Sequence, residues 1–251
     1  MSLTFRQKEI LNMVRAAGRV AVDALATALE VTPQTIRRDL NMLCDAGHLT
    51  RVHGGAILQS GVANTAYEAR KSMAAEAKAA IGQLCADAIP EDASLFINIG
   101  TTTEAVARAL CTKRDLLVIT NNLNVANILA GNPNCGVMVT GGMLRRSDGG
   151  LVGEQTLDTV QQFKADYAII GASAIDADGS LLDFDYREVR VSQAIIANAR
   201  KVFLVADASK ICRSAPARIG HIRDIDGLFT DQALPAPLAQ ICGQHGVEVY
   251  L

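Results

Sequence analysis

Residues 97–104 read INIGTTTE, an apolar run that passes through a glycine and three threonines into a helical pattern. Two local structures fit these letters. Thr101-x-x-Glu104 has the spacing of a capping box, in which two side chains each close a backbone donor at a helix start. The same strand–glycine–helix turn is also what a phosphate needs, because free amides at a helix start attract an anion. The neighbouring segments decide between them.

Working outward, residues 73–251 alternate short apolar runs with helical patterns. Strands are expected at 95–99, 117–120, 137–140, 167–170, 202–206, 228–229 and 247–250. Helices are expected at 74–88, 104–110, 122–129, 157–164, 187–199 and 235–243. Strands interleaved with helices predict an α/β, Rossmann-like, mostly parallel sheet covered on both faces. Ligands of such sheets sit beyond the carboxyl ends of the strands. The residues that follow the strands there are Gly100-Thr101-Thr102-Thr103, Thr120-Asn121-Asn122, Thr140-Gly141-Gly142, Gly171-Ala172-Ser173 and Asp207-Ala208-Ser209-Lys210. All are small or polar turns on one edge. A single cap explains one of them; a phosphate-bearing small molecule explains the set, with Arg145 and Lys210 adding positive charge.

The ligand expected there is compact. The sequence has no G-x-x-x-x-G-K-[ST] loop, and no G-x-G-x-x-G follows the first of these strands, so a phosphorylated sugar or polyol suits the turns better than a dinucleotide. Carboxylates are plentiful around Asp176–Glu188, yet no paired acid/base spacing, nucleophile elbow or metal cluster emerges. The four histidines (His48, His53, His221, His245) fall outside the turns, which argues against a histidine base. No cofactor is called for.

The first 57 residues form a different unit. Ile10, Leu11, Val14 and Ala17 recur at helical spacing, residues 21–29 give a second striped helix, and VTPQTIRRDLNML begins a third. Thr32 suits its N-cap and Pro33 its first turn. Ile36, Leu40 and Leu43 make its buried stripe, leaving Gln34, Arg38 and Asn41 on the opposite face with Arg37 at the flank. Such side chains can hydrogen-bond base edges or phosphates from the major groove. A short hairpin around His53-Gly54-Gly55 follows, placing Arg51 and His53 to touch the backbone of a duplex. Cap, stripe, polar face and wing together predict a winged helix-turn-helix over residues 1–57. Aperiodic polar residues at 58–72 read as a linker.

Composition narrows the setting. Residues 1–60 hold seven Lys/Arg against five acids, while the whole chain carries a net charge of −2, so a basic head sits on an acidic body. Six cysteines show no C-x-x-C pair, which fits a reducing cytoplasm better than a disulfide or zinc framework. No apolar run reaches the length of a membrane span, and the start MSLTFRQKEILNMV has no signal-peptide core.

These motifs resemble the DeoR-type bacterial repressors of sugar catabolism. VTPQTIRRDLNML and RVHGGA match that family's helix-turn-helix and wing; IGTTTEAVA, TNNLNVAN, TGGMLRRSDGGLVGE and DASK match its effector domain. The resemblance implies a repressor with residues 73–251 as the effector domain, related to ribose-phosphate isomerase folds, that binds a sugar phosphate without turning it over. It implies DNA contacts from Gln34, Thr35, Arg37 and Arg38, beside Thr32, Asn41, Arg51 and His53 from the face and wing already described. It places Asn98, Gly100, Thr101, Thr102, Thr103, Asn121, Gly141, Gly142, Arg145 and Lys210 around the effector. Asp183, Asp185, Tyr186 and Glu188 then read the rest of that molecule. Asn98 stands where the family commonly has Asp. The stretches DGGLVGEQTLD and GSLLDFDYREVR are similar to the branch that answers to glycerol 3-phosphate. Operator DNA, that effector and a homo-oligomer (dimer or tetramer) are the implied partners. The alternative is a sugar-phosphate isomerase-type enzyme carrying a regulatory DNA-binding head.

Overall fold

The computed structural model describes residues 3–17, 19–46, 48–52, 54–58 and 67–251. In the head, α1 (Phe5–Ala17) leads through β1 (Arg19–Ala21) to α2 (Val22–Ala28) and α3 (Pro33–Asp45). Strands β2 (Leu49–Val52) and β3 (Gly55–Leu58) form the expected wing hairpin. The Thr32 hydroxyl accepts from the Thr35 amide at 3.3 Å, and Pro33 opens α3 because its missing N–H costs nothing there. Ile36, Leu40 and Leu43 are fully buried against Ile10, Val14 and Leu25. The wing has one strand more than expected: β1 pairs antiparallel with β3, giving the order β1-β3-β2. Its three residues are too few to show a period of their own beside two helices.

After the head, α4 (Tyr67–Ser72) and α5 (Ala75–Asp87) precede β4 (Ala93–Ile97), α6 (Thr101–Ala109), β5 (Leu116–Thr120), α7 (Leu123–Leu129) and β6 (Cys135–Val139). The hairpin β7 (Met143–Arg145) and β8 (Gly150–Val152) leads into α8 (Glu154–Gln161) and β9 (Ala165–Ile170). Then come β10 (Ala174–Ile175), β11 (Ser180–Asp183), α9 (Tyr186–Ala197), β12 (Ala199–Val205), β13 (Ala217–His221), β14 (Gly227–Phe229), α10 (Ala236–His245) and β15 (Glu248–Tyr250).

Seven strands form one parallel sheet in the order β15-β14-β12-β9-β4-β5-β6. These are the seven expected strands, with shifted ends. Val, Ile and Leu fill both faces: Leu95, Ile97 and Val118 pack with Ile81 and Leu110, while Phe96, Ile119 and Ile170 pack with Val160 and Val189. Chain order runs β4-β5-β6 to one side and β9-β12-β14-β15 to the other, so the sheet reverses direction between β4 and β9. That switch point opens a crevice at the carboxyl ends of β4 and β9.

The sequence did not indicate three features. The antiparallel sheet β10-β11-β13 and the hairpin β7-β8 are built from short segments that show little alternation. Residues 67–72, expected within the linker, form α4, which has no apolar stripe and is held by polar contacts instead. The Thr101-x-x-Glu104 capping box does not form: Gly100 is the N-cap, and it makes no side-chain cap bond.

Truncating the head's core should cost far more than trimming its surface. Leu40→Ala is expected to lose about 2–5 kcal/mol in urea unfolding followed by circular dichroism. Met42→Ala, at a residue 45% exposed, should stay within about 0.5 kcal/mol.

Candidate functional site

The crevice is built around the start of α6. Gly100 adopts φ 149°, a conformation that side-chain-bearing residues rarely take, and this turns the chain from β4 into the helix. Thr103, fully buried, donates its hydroxyl to the carbonyls of Asn98 and Gly100, each at 2.8 Å, and so fixes the turn. The first amides of a helix have no intrahelical acceptor, and the N-cap here, Gly100, has no side chain to take that place. Glu104, which a capping box would have used, is buried and bound elsewhere. Its carboxylate accepts from the Tyr67 hydroxyl at 3.0 and 2.9 Å and from Asn124 Nδ2 at 3.0 Å.

Around that helix start lie Gly171, Ala172 and Ser173 after β9, Lys210 after β12, and Arg70 from α4. Burial lowers the Lys210 ammonium to about 8, opposed by buried Asp207. Burial also lowers Lys78, again opposed by Asp207. The Lys78 ammonium donates to the carbonyls of Arg70 and Met73, and this ties the end of α4 to α5. The first lobe therefore sets the amides of a helix start beside two cations, Lys210 and Arg70, with Asp183 and Glu188 at its far side.

A second lobe continues past Arg70, Asp183 and Glu188, which line both. At its centre the Arg145 guanidinium donates to Asp185 at 2.9 Å, to Glu188 at 2.6 Å and to Asp148 at 2.9 and 2.6 Å. Burial works against its charge, but the bonds to Asp148 and Glu188 outweigh that and raise its pKa. Glu188 goes the other way: burial and the neighbouring Asp183 lift its carboxyl to about 8, against the pull of Arg145. For Asp185 burial is outweighed by bonds from Arg187 and Arg145, so its pKa is lowered. Arg70 joins the cluster through Asp148 at 3.7 Å. Tyr186 stands exposed at the rim.

The structure thus gathers Gly100, Thr101, Thr102, Thr103 and Lys210 in one lobe and Arg145, Asp185 and Tyr186 in the other, with Asp183 and Glu188 between them. Four other expected residues do not line either lobe. Asn98 is buried, donating to Ser192 Oγ at 2.7 Å and accepting from the Ile99 amide at 2.8 Å. Asn121 is buried and donates to the Leu151 carbonyl at 3.2 Å. The Gly141 carbonyl accepts from Thr156 Oγ1 at 2.6 Å, and a Cβ on Gly142 would lie 2.2 Å from that oxygen. These last three seat the β7-β8 hairpin that presents Arg145. Sequence reasoning missed Arg70 and Asp148. Arg70 lay in a stretch read as linker, and Asp148 gave no signal beyond a turn-like SDGG.

In the head, Thr32, Gln34, Arg37, Arg38, Asn41 and Arg51 are exposed and Thr35 is half-buried. Among the described residues neither Arg37 nor Arg38 has an ion-pair partner, whereas Arg6 binds buried Asp39 at 2.5 Å. His53 lies outside the described residues. No cluster of potential metal ligands occurs among the described residues, and no described helix is long and apolar enough to cross a membrane.

Both units match one family. Residues 6–62 match the DeoR-like helix-turn-helix domain and residues 73–232 the DeoR C terminal sensor domain. The chain belongs to the DeoR family. It is similar to the glycerol-3-phosphate regulon repressor of Escherichia coli K12, at 45% identity over all of both chains. The Haemophilus influenzae protein of that name is 47% identical over 92% of this chain and 90% of its own. The E. coli transcriptional repressor CsqR is 42% identical over 98% and 94%. Among solved structures, ribose 5 phosphate isomerase A of Neisseria gonorrhoeae superposes with TM-score 0.40 and 16% identity, over 55% of this chain and 53% of that one. The eIF2B beta of Chaetomium thermophilum superposes with TM-score 0.49 and 17% identity, over 68% and 54%. The chain is a DNA-binding transcriptional regulator, not an enzyme.

Arg145 neutralises a lobe that is otherwise acidic. Arg145→Ala should therefore destabilise the domain by about 1–3 kcal/mol, because it leaves three half-buried carboxyl groups without their partner. Thermal unfolding should show it as a clear drop in Tm at neutral pH.

Proposed function

We propose that this chain is a cytoplasmic repressor whose winged helix grips operator DNA until a small phosphate ester, glycerol 3-phosphate, enters the cleft. Membership of the DeoR family carries the repressor role. The observation that supports the effector class is the polarity of the cleft. An anion fits the unclosed start of α6 beside Lys210 and Arg70, and carbon-bound hydroxyls fit the carboxylates of Asp183, Asp185 and Glu188. The similarity to glycerol-3-phosphate regulon repressors favours that ester within the class. Thr32, Gln34, Thr35, Arg37, Arg38, Asn41 and Arg51 are the DNA-facing residues in this reading, Gln34 and Arg38 reaching the major groove.

Coupling between the two sites has a physical candidate in α4. It follows residues 59–66, which lead from wing strand β3, and it places Arg70 over both lobes. Its anchors are polar: Tyr67 to Glu104 and Asn124, and Lys78 to the carbonyls of Arg70 and Met73. An anion that draws Arg70 from Asp148 shifts this helix, and an effector regulates only by binding two arrangements with different affinity.

Two variants separate the sites. Arg38→Ala should weaken operator binding about tenfold in a gel-shift titration while leaving glycerol 3-phosphate binding intact. Lys210→Met should leave operator affinity unchanged but weaken glycerol 3-phosphate by about 10–100-fold in calorimetry, the loss of one charge-assisted contact. Normal release of Lys210→Met from DNA by the effector would move the phosphate site elsewhere.

The pH dependence has a definite sign. Lys210 and Glu188 both titrate near 8, the first losing positive and the second gaining negative charge as pH rises. Both changes oppose an anion. Affinity for glycerol 3-phosphate should fall as pH climbs from 7 to 9, and calorimetry across that range reads it directly.

A further inference from the structure

The seven-stranded sheet has two edges, and they are built differently. Strand β15 at one edge is three residues long and carries Glu248, the kind of charge that discourages pairing with another chain. Strand β6 at the other edge is Cys-Gly-Val-Met-Val, paired with β5 on one side only. It has no charge, no proline and no bulge. Its outward amides and carbonyls form an unprotected template.

The sheet face beside this edge is also uncovered. Leu117 is opposite Gly136 and Ile119 opposite Met138, so these four residues share a face. Ile119 is buried in the cluster that Leu157 and Val160 of α8 complete, but Leu117 and Met138 remain 43% and 41% exposed. Met143 and Leu144 continue the exposed apolar run into the hairpin. Parallel strands are ordinarily covered on both faces, and among the described residues nothing covers this end of the sheet.

We propose that a second copy of this chain covers this strip, related by a two-fold axis beside β6. Residues 135–144 contain no charged side chain, so two copies placed face to face meet no like-charge repulsion. A strand edge is self-complementary about a two-fold, because each copy offers the same donors and acceptors to the other. A winged helix docks in pairs on repeated half-sites, which requires a partner of the same kind; this last support alone rests on the function proposed above.

Sedimentation equilibrium on the full chain, without DNA or effector, tests the proposal independently of that function. The unmodified chain should sediment at the mass of a dimer or a multiple of it. Met138→Glu and, separately, Met143→Glu should lower that mass by half or more, with dissociation at least tenfold weaker in affinity. Val249→Glu, on the opposite edge, should leave it unchanged. Circular dichroism checks that each variant is folded, and Met143, 69% exposed, tolerates charge even where Met138 does not. A monomeric unmodified chain, or folded variants of both residues that keep the assembled mass, would overturn it.

Discussion

The rest of the site depends on one unclosed helix start. Gly100 takes a backbone conformation that excludes a capping side chain, and it does so where the sheet reverses its chain order. Donors left open there need water or a ligand, and an anion is the ligand that a helix start favours. The surroundings answer that need in two parts. Lys210 and Arg70 supply positive charge at the helix start, and Asp148, Asp183, Asp185 and Glu188 outnumber the guanidinium groups further along. A ligand with an anion at one end and hydroxyl donors at the other satisfies both lobes. A nucleotide would bring a base, and of the aromatic side chains that line the second lobe Tyr67 is bonded to Glu104 and Phe184 lies under the Arg213 guanidinium, which leaves exposed Tyr186 at the rim.

The same constraint explains the peculiar treatment of α6. Were Thr101 and Glu104 to form a capping box, the helix would be closed and the anion site lost. Glu104 is drawn away by Tyr67 and Asn124 instead, so the residue a capping box would use ties α4 beside the helix start. In the function proposed above, sensing and transmission therefore share one hydrogen-bond cluster. Polar anchors suit such a helix, because they exchange partners at lower cost than an apolar face leaves its core.

Most of the architecture was legible because parallel strands buried on both faces leave continuous apolar runs, and all seven occur where such runs do. The helix-turn-helix was equally clear, since cap, proline and stripe reinforce one another over a single helix. Illegible parts share a physical trait: their structure depends on distant partners. Tyr67 meets Glu104 across 37 residues, Asn98 meets Ser192 across 94, and Arg145 meets Glu188 across 43. Nothing local in ARKS announces a helix over a cleft, and nothing local in TTTE tells a cap from an open start.

Asn98 shows how a resemblance and a structure can name the same residue for different reasons. The family pattern, with Asp in that place, suggests a side chain that faces the ligand. Here the amide sits beneath the turn, where its nitrogen donates to Ser192 on α9 while Ser192 donates in turn to the Glu188 carbonyl. An ionised carboxylate cannot donate, so Asp in this position forces Ser192 to reverse its bond or leaves two acceptors facing each other. It also brings a buried negative charge close to the helix that carries Glu188, whose carboxyl is already raised by burial and by Asp183. The amide thus acts through the seating of α9. In the function proposed above, it bears on how Glu188 meets Arg145, and through them on the polarity of the lobe offered to the uncharged end of the effector.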